Sequence, residues 1–247
     1  MGGVHAITPF TLLDYPGEVA CIIWFSKCNL RCVYCHNPEI VFGDGKISDA
    51  TCLDFLEKRK GQLTGVVFSG GEPTLCKDLP FFAAKAKELG FKVKIDTNGA
   101  NPDVIRDFID KKLVDCVALD YKCPPGRAKE LLGTDKFVEV SKKTLEVLVA
   151  AYREKKIDME VRTTFHSDLM NADDLNQIIA DLEHSGYDGK YSIQNIVSFG
   201  TQTIGNISKP QSEMDISKIK PSDKIQICFR NFPKLPATLE EALQNIK

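Results

Sequence analysis

The sequence is short of net charge, of long apolar runs and of repetition. A net charge of −2 over 247 residues supplies no strong positive field, so binding to nucleic acid through phosphate attraction is not supported. No stretch approaches the roughly 20 apolar residues of a membrane span. The opening MGGVHAITPF also lacks the basic flank and apolar stretch of a signal peptide, so a cytoplasmic protein with no membrane partner is expected. No internal repeat, low-complexity tract or second-domain boundary interrupts the chain. With 43% hydrophobic and 27% charged residues, disorder is excluded and one large domain over 1–247 is expected. Nine cysteines, an odd number in a chain assigned to reducing cytosol, argue against a disulfide framework.

What is present is an alternation. Apolar runs rich in β-branched residues at 19–26, 64–70, 91–98, 114–122, 157–165 and 191–199 predict strands. Between them, helix-period segments fall near 48–61, 77–89, 101–112, 136–155 and 171–185. Ser48, Asn101-Pro102 and Asn171 stand where helices should start, and Gly61, Gly90 and Gly186 where they should stop. Six βα units around a parallel sheet predict an α/β fold, an open partial TIM barrel of (β/α)6 type, with a doubly wound sheet as the alternative. The barrel core spans about 19–199. Beyond it, the polar, Gly- and Pro-punctuated segment from 200 reads as a flap. An apolar run at 224–232 and a short amphipathic end complete an extension over 200–247.

Cys21, Cys52, Cys76, Cys116, Cys123 and Cys228 are scattered singly and read as buried apolar residues. The remaining three crowd into "CNLRCVYCHNPE" as C-x3-C-x2-C: Cys28, Cys32 and Cys35. A loop of that length can wrap three thiolates around one corner of an iron–sulfur cluster and leave one iron without a protein ligand. Structural zinc would want a fourth ligand, and Cys52, Cys76 or His166 are the distant candidates.

Other strand ends carry polar signatures, and in parallel α/β folds these ends form the active face. "SGGEPT" offers Gly70 and Gly71 for close backbone approach to a ligand and Glu72 as an acceptor for an ammonium group. "IDTNGA" and "LDYK" supply Asp96 and Asp120 as hard oxygens for a ribose hydroxyl or a small cation, and Lys122 as a donor to a carboxylate. Taken alone, each has a plain reading: a Gly-Gly turn, a turn aspartate, a solvated lysine. Arg162 in "EVRTTF" reads alone as a surface ion pair, and His166 with Asp168 form an acid/base pair that is left outside the chemistry.

The cysteine spacing, with Tyr34 just before the third cysteine, resembles the signature of the radical S-adenosylmethionine (SAM) superfamily. That resemblance implies one [4Fe–4S] cluster on Cys28, Cys32 and Cys35, with SAM chelating the open iron and being cleaved reductively to a 5′-deoxyadenosyl radical that abstracts hydrogen. It further implies that Tyr34 neighbours the adenine, that the Gly70-Gly71-Glu72 motif holds the amino group of SAM, and that Lys122 meets its carboxylate. His36, Asp96, Asn98, Asp120, Arg162 and Gln194 (or Asn195) complete the cofactor contacts, and Asp96, Thr97 and Asp120 line a monovalent-cation site. "CHNPE", "FSGGEPTL", "DTNG", "LDYK", "VRTT" and "CFR" resemble the glycyl-radical-enzyme activases, and within them the activating proteins of anaerobic ribonucleoside-triphosphate reductases. The partners this implies are a glycyl radical enzyme and an electron donor of flavodoxin or ferredoxin type. The auxiliary cysteine clusters that many activases insert after the first motif are excluded, since only Cys52 and Cys76 follow before the third predicted strand. The alternatives are a radical SAM enzyme acting on a small molecule, peptide or RNA, and an iron–sulfur electron carrier or scaffold.

Overall fold

The computed structural model describes residues 2–197 and 202–244. The tail of the last predicted strand (198–199), the first two flap residues (200–201) and the chain end (245–247) lie outside the described residues.

One eight-stranded sheet organises the chain, its strands lying side by side in sequence order. The six predicted strands are β2 (Ala20–Phe25), β3 (Gly65–Gly70), β4 (Lys92–Thr97), β5 (Cys116–Asp120), β6 (Asp158–Phe165) and β7 (Lys190–Asn195). All six run parallel. The 224–232 run forms a seventh parallel strand, β8 (Gln226–Arg230), beside β7. At the other edge, β1 (Val4–Thr11) pairs antiparallel with β2, a strand that sequence reading missed because the N-terminal stretch was weighed only as a leader. Among the described residues β1 and β8 are the two ends of the sheet order, so the sheet is open.

The helices expected between strands are α2 (Asp49–Arg59), α3 (Leu79–Glu88), α4 (Pro102–Asp110), α6 (Phe137–Arg153) and α7 (Ala172–His184). Two short ones were not expected, α1 (Pro38–Phe42) and α5 (Ala128–Leu132), and α8 (Leu239–Gln244) ends the described chain. Ser48 caps α2 by accepting from the Thr51 amide, and Asn171 forms a full capping box with Asp174. Asn101 makes no cap hydrogen bond. Its amide donates to the Thr74 hydroxyl at 2.7 Å, while Pro102 opens the helix as expected.

Strand residues alternate between faces, and the two faces differ in kind. Phe25, Phe68, Ile95, Leu119, Val161 and Ile193 pack under the helices in the main core. Phe25 meets Phe68 and Phe82 edge-on, both at 5.8 Å, which adds about 0.5–1.5 kcal/mol per pair beyond burial and firms the base of the cysteine loop. On the inner face a small apolar plug of Tyr15, Ala20, Ile22, Val67 and Cys116 gives way to charged residues on β4, β5, β6 and β8. Among the described residues no helix is long and apolar enough to cross a membrane.

Candidate active site

Residues 26–37 leave the carboxyl end of β2, carry the three cysteines and run into α1. Backbone amides pin this loop: Arg31 and Val33 donate to the Leu132 and Leu131 carbonyls of α5 at 3.1 and 3.0 Å. From the opposite side the Ile204 amide donates to the Cys35 carbonyl at 2.9 Å and the Gly205 amide to the Val33 carbonyl at 2.8 Å, so the flap segment lies as a strap along the loop. Cys32 is buried, while Cys28 and Cys35 are half-buried. Burial pushes the Cys32 thiol up to about 12, with Lys122 pulling the other way. Burial also raises Cys28, against the Leu30 amide that donates to its sulfur at 3.4 Å.

The end of β3 docks onto the start of this loop. The Gly71 amide donates to the Phe25 carbonyl and the Glu72 amide to the Lys27 carbonyl, at 2.9 and 2.8 Å. A Cβ on Gly70 would meet the Phe25 carbonyl oxygen at 2.3 Å, and one on Gly71 the Lys27 carbonyl oxygen at 2.0 Å. The close approach that these glycines permit here is to the backbone at the end of β2 and the start of the cysteine loop. Glu72 is likewise turned inward, with no exposure. Its Oε1 accepts from the Thr74 amide (3.1 Å), the Thr74 hydroxyl (2.5 Å) and the Thr97 hydroxyl (2.8 Å), and its Oε2 from the Asn98 amide (2.7 Å). Burial raises its carboxyl pKa, opposed by those hydrogen bonds. The side chain ties the end of β3 to the end of β4.

On the inner face lies a chain of ion pairs. Lys94, with no exposure, contacts Asp96 and stands 3.8 Å from Glu160. Arg162 bridges Asp120 at 2.9 Å, Asp96 at 3.4 Å and Glu160 at 3.8 Å. Lys122 pairs with Asp120 at 3.0 Å and Arg230 with Glu160 at 2.8 Å. Burial works against a charged Asp120, but Arg162 and then Lys122 hold its carboxyl well below the usual range. Burial likewise opposes the Lys122 ammonium, and Asp120 outweighs it, holding the lysine protonated. Four cations face three carboxylates, an excess of one positive charge in a partly buried site.

With that geometry in view, the Radical SAM superfamily profile matches residues 22–184, the stretch that holds the cysteine loop and the strand ends β3 to β6. The chain belongs to the radical SAM superfamily. It is 35% identical over 188 residues to a provisionally named glycyl-radical enzyme activating enzyme of Methanocaldococcus jannaschii, covering 71% of this chain and 73% of that one. It is 34% identical over 152 residues to the pyruvate formate-lyase-activating enzyme of Clostridium pasteurianum, covering 56% of this chain and 63% of the relative. Among solved structures, Streptococcus suis SuiB bound to S-adenosylmethionine superposes with a TM-score of 0.61 over 87% of this chain and 52% of its own, at 14% identity. The chain thus spans about half the length of that solved protein, and the likeness is one of fold.

A radical SAM enzyme uses one [4Fe–4S] cluster and SAM, and the residues present fit both. Three soft sulfur donors share one pinned loop, and the Lys122 charge acts on two of them. Among the described residues no three His, Cys, Asp or Glu side chains converge to hold a single metal ion. Thiolates on separate corners of a cluster need no such convergence, whereas zinc does. Of the distant zinc candidates, Cys52 and Cys76 are buried, and the Asp168 amide donates to Nδ1 of His166, leaving Nε2 to donate to the Ser208 carbonyl at 2.9 Å. The excess positive charge at Lys122 and Arg162 suits a SAM carboxylate.

The residues expected at a monovalent-cation site have protein partners in this structure. Asp96 and Asp120 already face Lys94, Arg162 and Lys122, and the Thr97 hydroxyl donates to Glu72. Tyr34, expected beside the adenine, is 4% exposed, and its hydroxyl donates to the Lys122 carbonyl at 3.0 Å, pinning the loop to the segment after β5. Burial, then Lys122, lowers the pKa of His36, which lines a cavity beside the loop. Gln194 lies on β7 in register with Arg230, and Asn195 lines a separate groove beside Phe165. Sequence reading missed Lys94, Glu160 and Arg230. For Lys94 and Glu160 the signal was charge at a spacing of two inside apolar strands, Lys94 with Asp96 and Glu160 with Arg162, which places both charges of a pair on one face.

Proposed function

We propose that this radical SAM enzyme is a glycyl-radical-enzyme activating enzyme, with an anaerobic ribonucleoside-triphosphate reductase as its partner and a flavodoxin or ferredoxin as electron donor. The observation that carries the reading is the placement of Cys35-His36-Asn37-Pro38. This run turns directly into α1, and His36, Asn37 and Pro38 line, with His5 and Trp24, a cavity of about 570 Å³ beside the cysteine loop. The cavity lies at the β1 edge of the open sheet, a side approach for a segment of another protein. The relatives named as activating enzymes support the same reading.

When bound and reduced, the cluster and SAM supply a carbon radical able to remove the Cα hydrogen of a glycine. This chain's residues do the rest. Cys28, Cys32 and Cys35 hold the cluster, Lys122 and Arg162 receive the SAM carboxylate, and the Glu72 and Tyr34 ties keep the loop in place. Glycine suits the partner's side of the reaction because no side chain blocks approach to its α-carbon. The test is anaerobic reconstitution and reduction, followed by assay of 5′-deoxyadenosine and electron paramagnetic resonance of an added glycyl radical enzyme. A glycyl signal on the reductase is expected. Deoxyadenosine release with no glycyl signal on any such partner would exclude the activase reading while leaving the superfamily intact.

A further inference from the structure

We infer that Asn98 sets the reduction potential of the cluster by donating an amide hydrogen bond to the sulfur of Cys28. The inference rests on the assignment of Cys28 as a cluster ligand and goes beyond the cofactor contact expected of Asn98 from sequence.

The Asn98 side chain is 3% exposed and held from three sides. Its backbone amide donates to Glu72 Oε2 at 2.7 Å, its Oδ1 accepts from the Ala100 amide at 2.9 Å, and its Nδ2 donates to Asn29 Oδ1 at 2.8 Å. The same Nδ2 stands 3.8 Å from the Cys28 sulfur, within reach of a hydrogen bond to sulfur. The orientation of the amide is not free: Oδ1 must face the Ala100 N–H, so the NH2 group must face the thiol. The buried Glu72 carboxylate, itself held by Thr74 and Thr97, fixes the backbone from which this amide projects.

A cluster gains negative charge on reduction, and donors to its sulfurs favour the more negative state. Glu72 and Asn98 are therefore positioning residues for the electron that starts the reaction, and neither needs to touch SAM to matter. The bond is present in both oxidation states and only its strengthening on reduction counts, so its loss should lower the reduction equilibrium by at most about tenfold, ~59 mV more negative for a one-electron couple. Asn98→Asp keeps the shape and the acceptor for Ala100 but replaces the donor with a carboxylate, so its shift should exceed that of Asn98→Ala.

The experiment is an anaerobic redox titration of the reconstituted full-length protein without SAM, followed by electron paramagnetic resonance, with iron and sulfide measured on each variant. Expected are full iron content and a midpoint lowered in the order wild type, Asn98→Ala, Asn98→Asp. Cluster-loaded Asn98→Asp with the wild-type midpoint would overturn the inference. So would loss of the cluster from both variants, since the residue would then hold the loop and not tune it. Cys28→Ala retaining full iron would overturn the ligand assignment as well, which separates the two failures.

Discussion

Replacing Glu72 distinguishes an internal tie from a SAM contact, and the hydrogen bonds on the carboxylate set the scale. Glu72→Ala strands two buried backbone amides, those of Thr74 and Asn98, while the two threonine hydroxyls can rotate to other acceptors. At about 1–3 kcal/mol per unsatisfied buried donor, the alanine variant should lose roughly 2–6 kcal/mol. A domain has only about 5–15 kcal/mol in all. Glu72→Gln keeps one acceptor oxygen and turns its NH2 toward a donor, so about 1–3 kcal/mol is expected. The assay is anaerobic urea unfolding of the cluster-free protein, followed by fluorescence of Trp24, the single tryptophan. The midpoint should fall with an unchanged slope. There is a pH signature as well. Burial raises the folded-state pKa of Glu72 above its ordinary value, so the native state binds the extra proton. The wild type should therefore lose stability relative to Glu72→Gln as pH rises from the ordinary glutamate range through that raised pKa. Both variants within about 0.5 kcal/mol of wild type would refute the tie, since that is the scale of an inconsequential substitution.

Alanine at Cys28, Cys32 or Cys35 should abolish iron and sulfide uptake on anaerobic reconstitution, whereas Cys228→Ala should leave both unchanged. Lys94→Met removes the nearer cation against Asp96, which keeps Arg162 at 3.4 Å, so the loss in urea unfolding should fall short of the about 3–5 kcal/mol of a buried charge left unpaired. Adding Asp96→Asn should recover part of that loss, and a double variant no better than the single one would count against the pairing. Gly205→Val places a Cβ 2.8 Å from both the Cβ and the carbonyl oxygen of Val33, so the strap must lift. The cluster's visible absorbance should then bleach faster in air than in the wild type.

Much of the fold was legible because apolar runs and caps are local signals: Ser48 and Asn171 cap where their positions said they would. Strand β1 was not, because the N-terminal stretch was weighed only as a leader and its burial alternates irregularly around register shifts. At the site, the cysteine spacing identified the loop, but side-chain direction was beyond reach. Glu72 and an ammonium-binding glutamate look alike in sequence, and only the positions of Thr74, Thr97 and Asn98 show that its oxygens are taken. The partners of the two aspartates were out of reach for a related reason. Asp96 and Asp120 were read without the lysine and arginine that strand pairing brings beside them, Lys94 two residues back on the same face and Arg162 across the β5–β6 ladder.

Parallel strands deliver successive loops to one edge of a sheet, and here four of those ends bind one another directly. The β3 end bonds to the Phe25 and Lys27 carbonyls, Glu72 joins β3 to Asn98 beyond β4, Asn98 reaches back to Cys28, and Tyr34 joins the loop to Lys122 beyond β5. Protein groups alone close this circuit. In small zinc domains the metal supplies the folding energy, so losing a ligand unfolds the chain. In this protein the sheet and its hydrogen bonds hold the loop's backbone without a bond to metal, offsetting the ordering entropy of about 1–2 kcal/mol per residue. The fold presents the thiols, not the thiols the fold. A cysteine variant should therefore lose iron without losing structure, and that separation is what allows iron content to report on ligation.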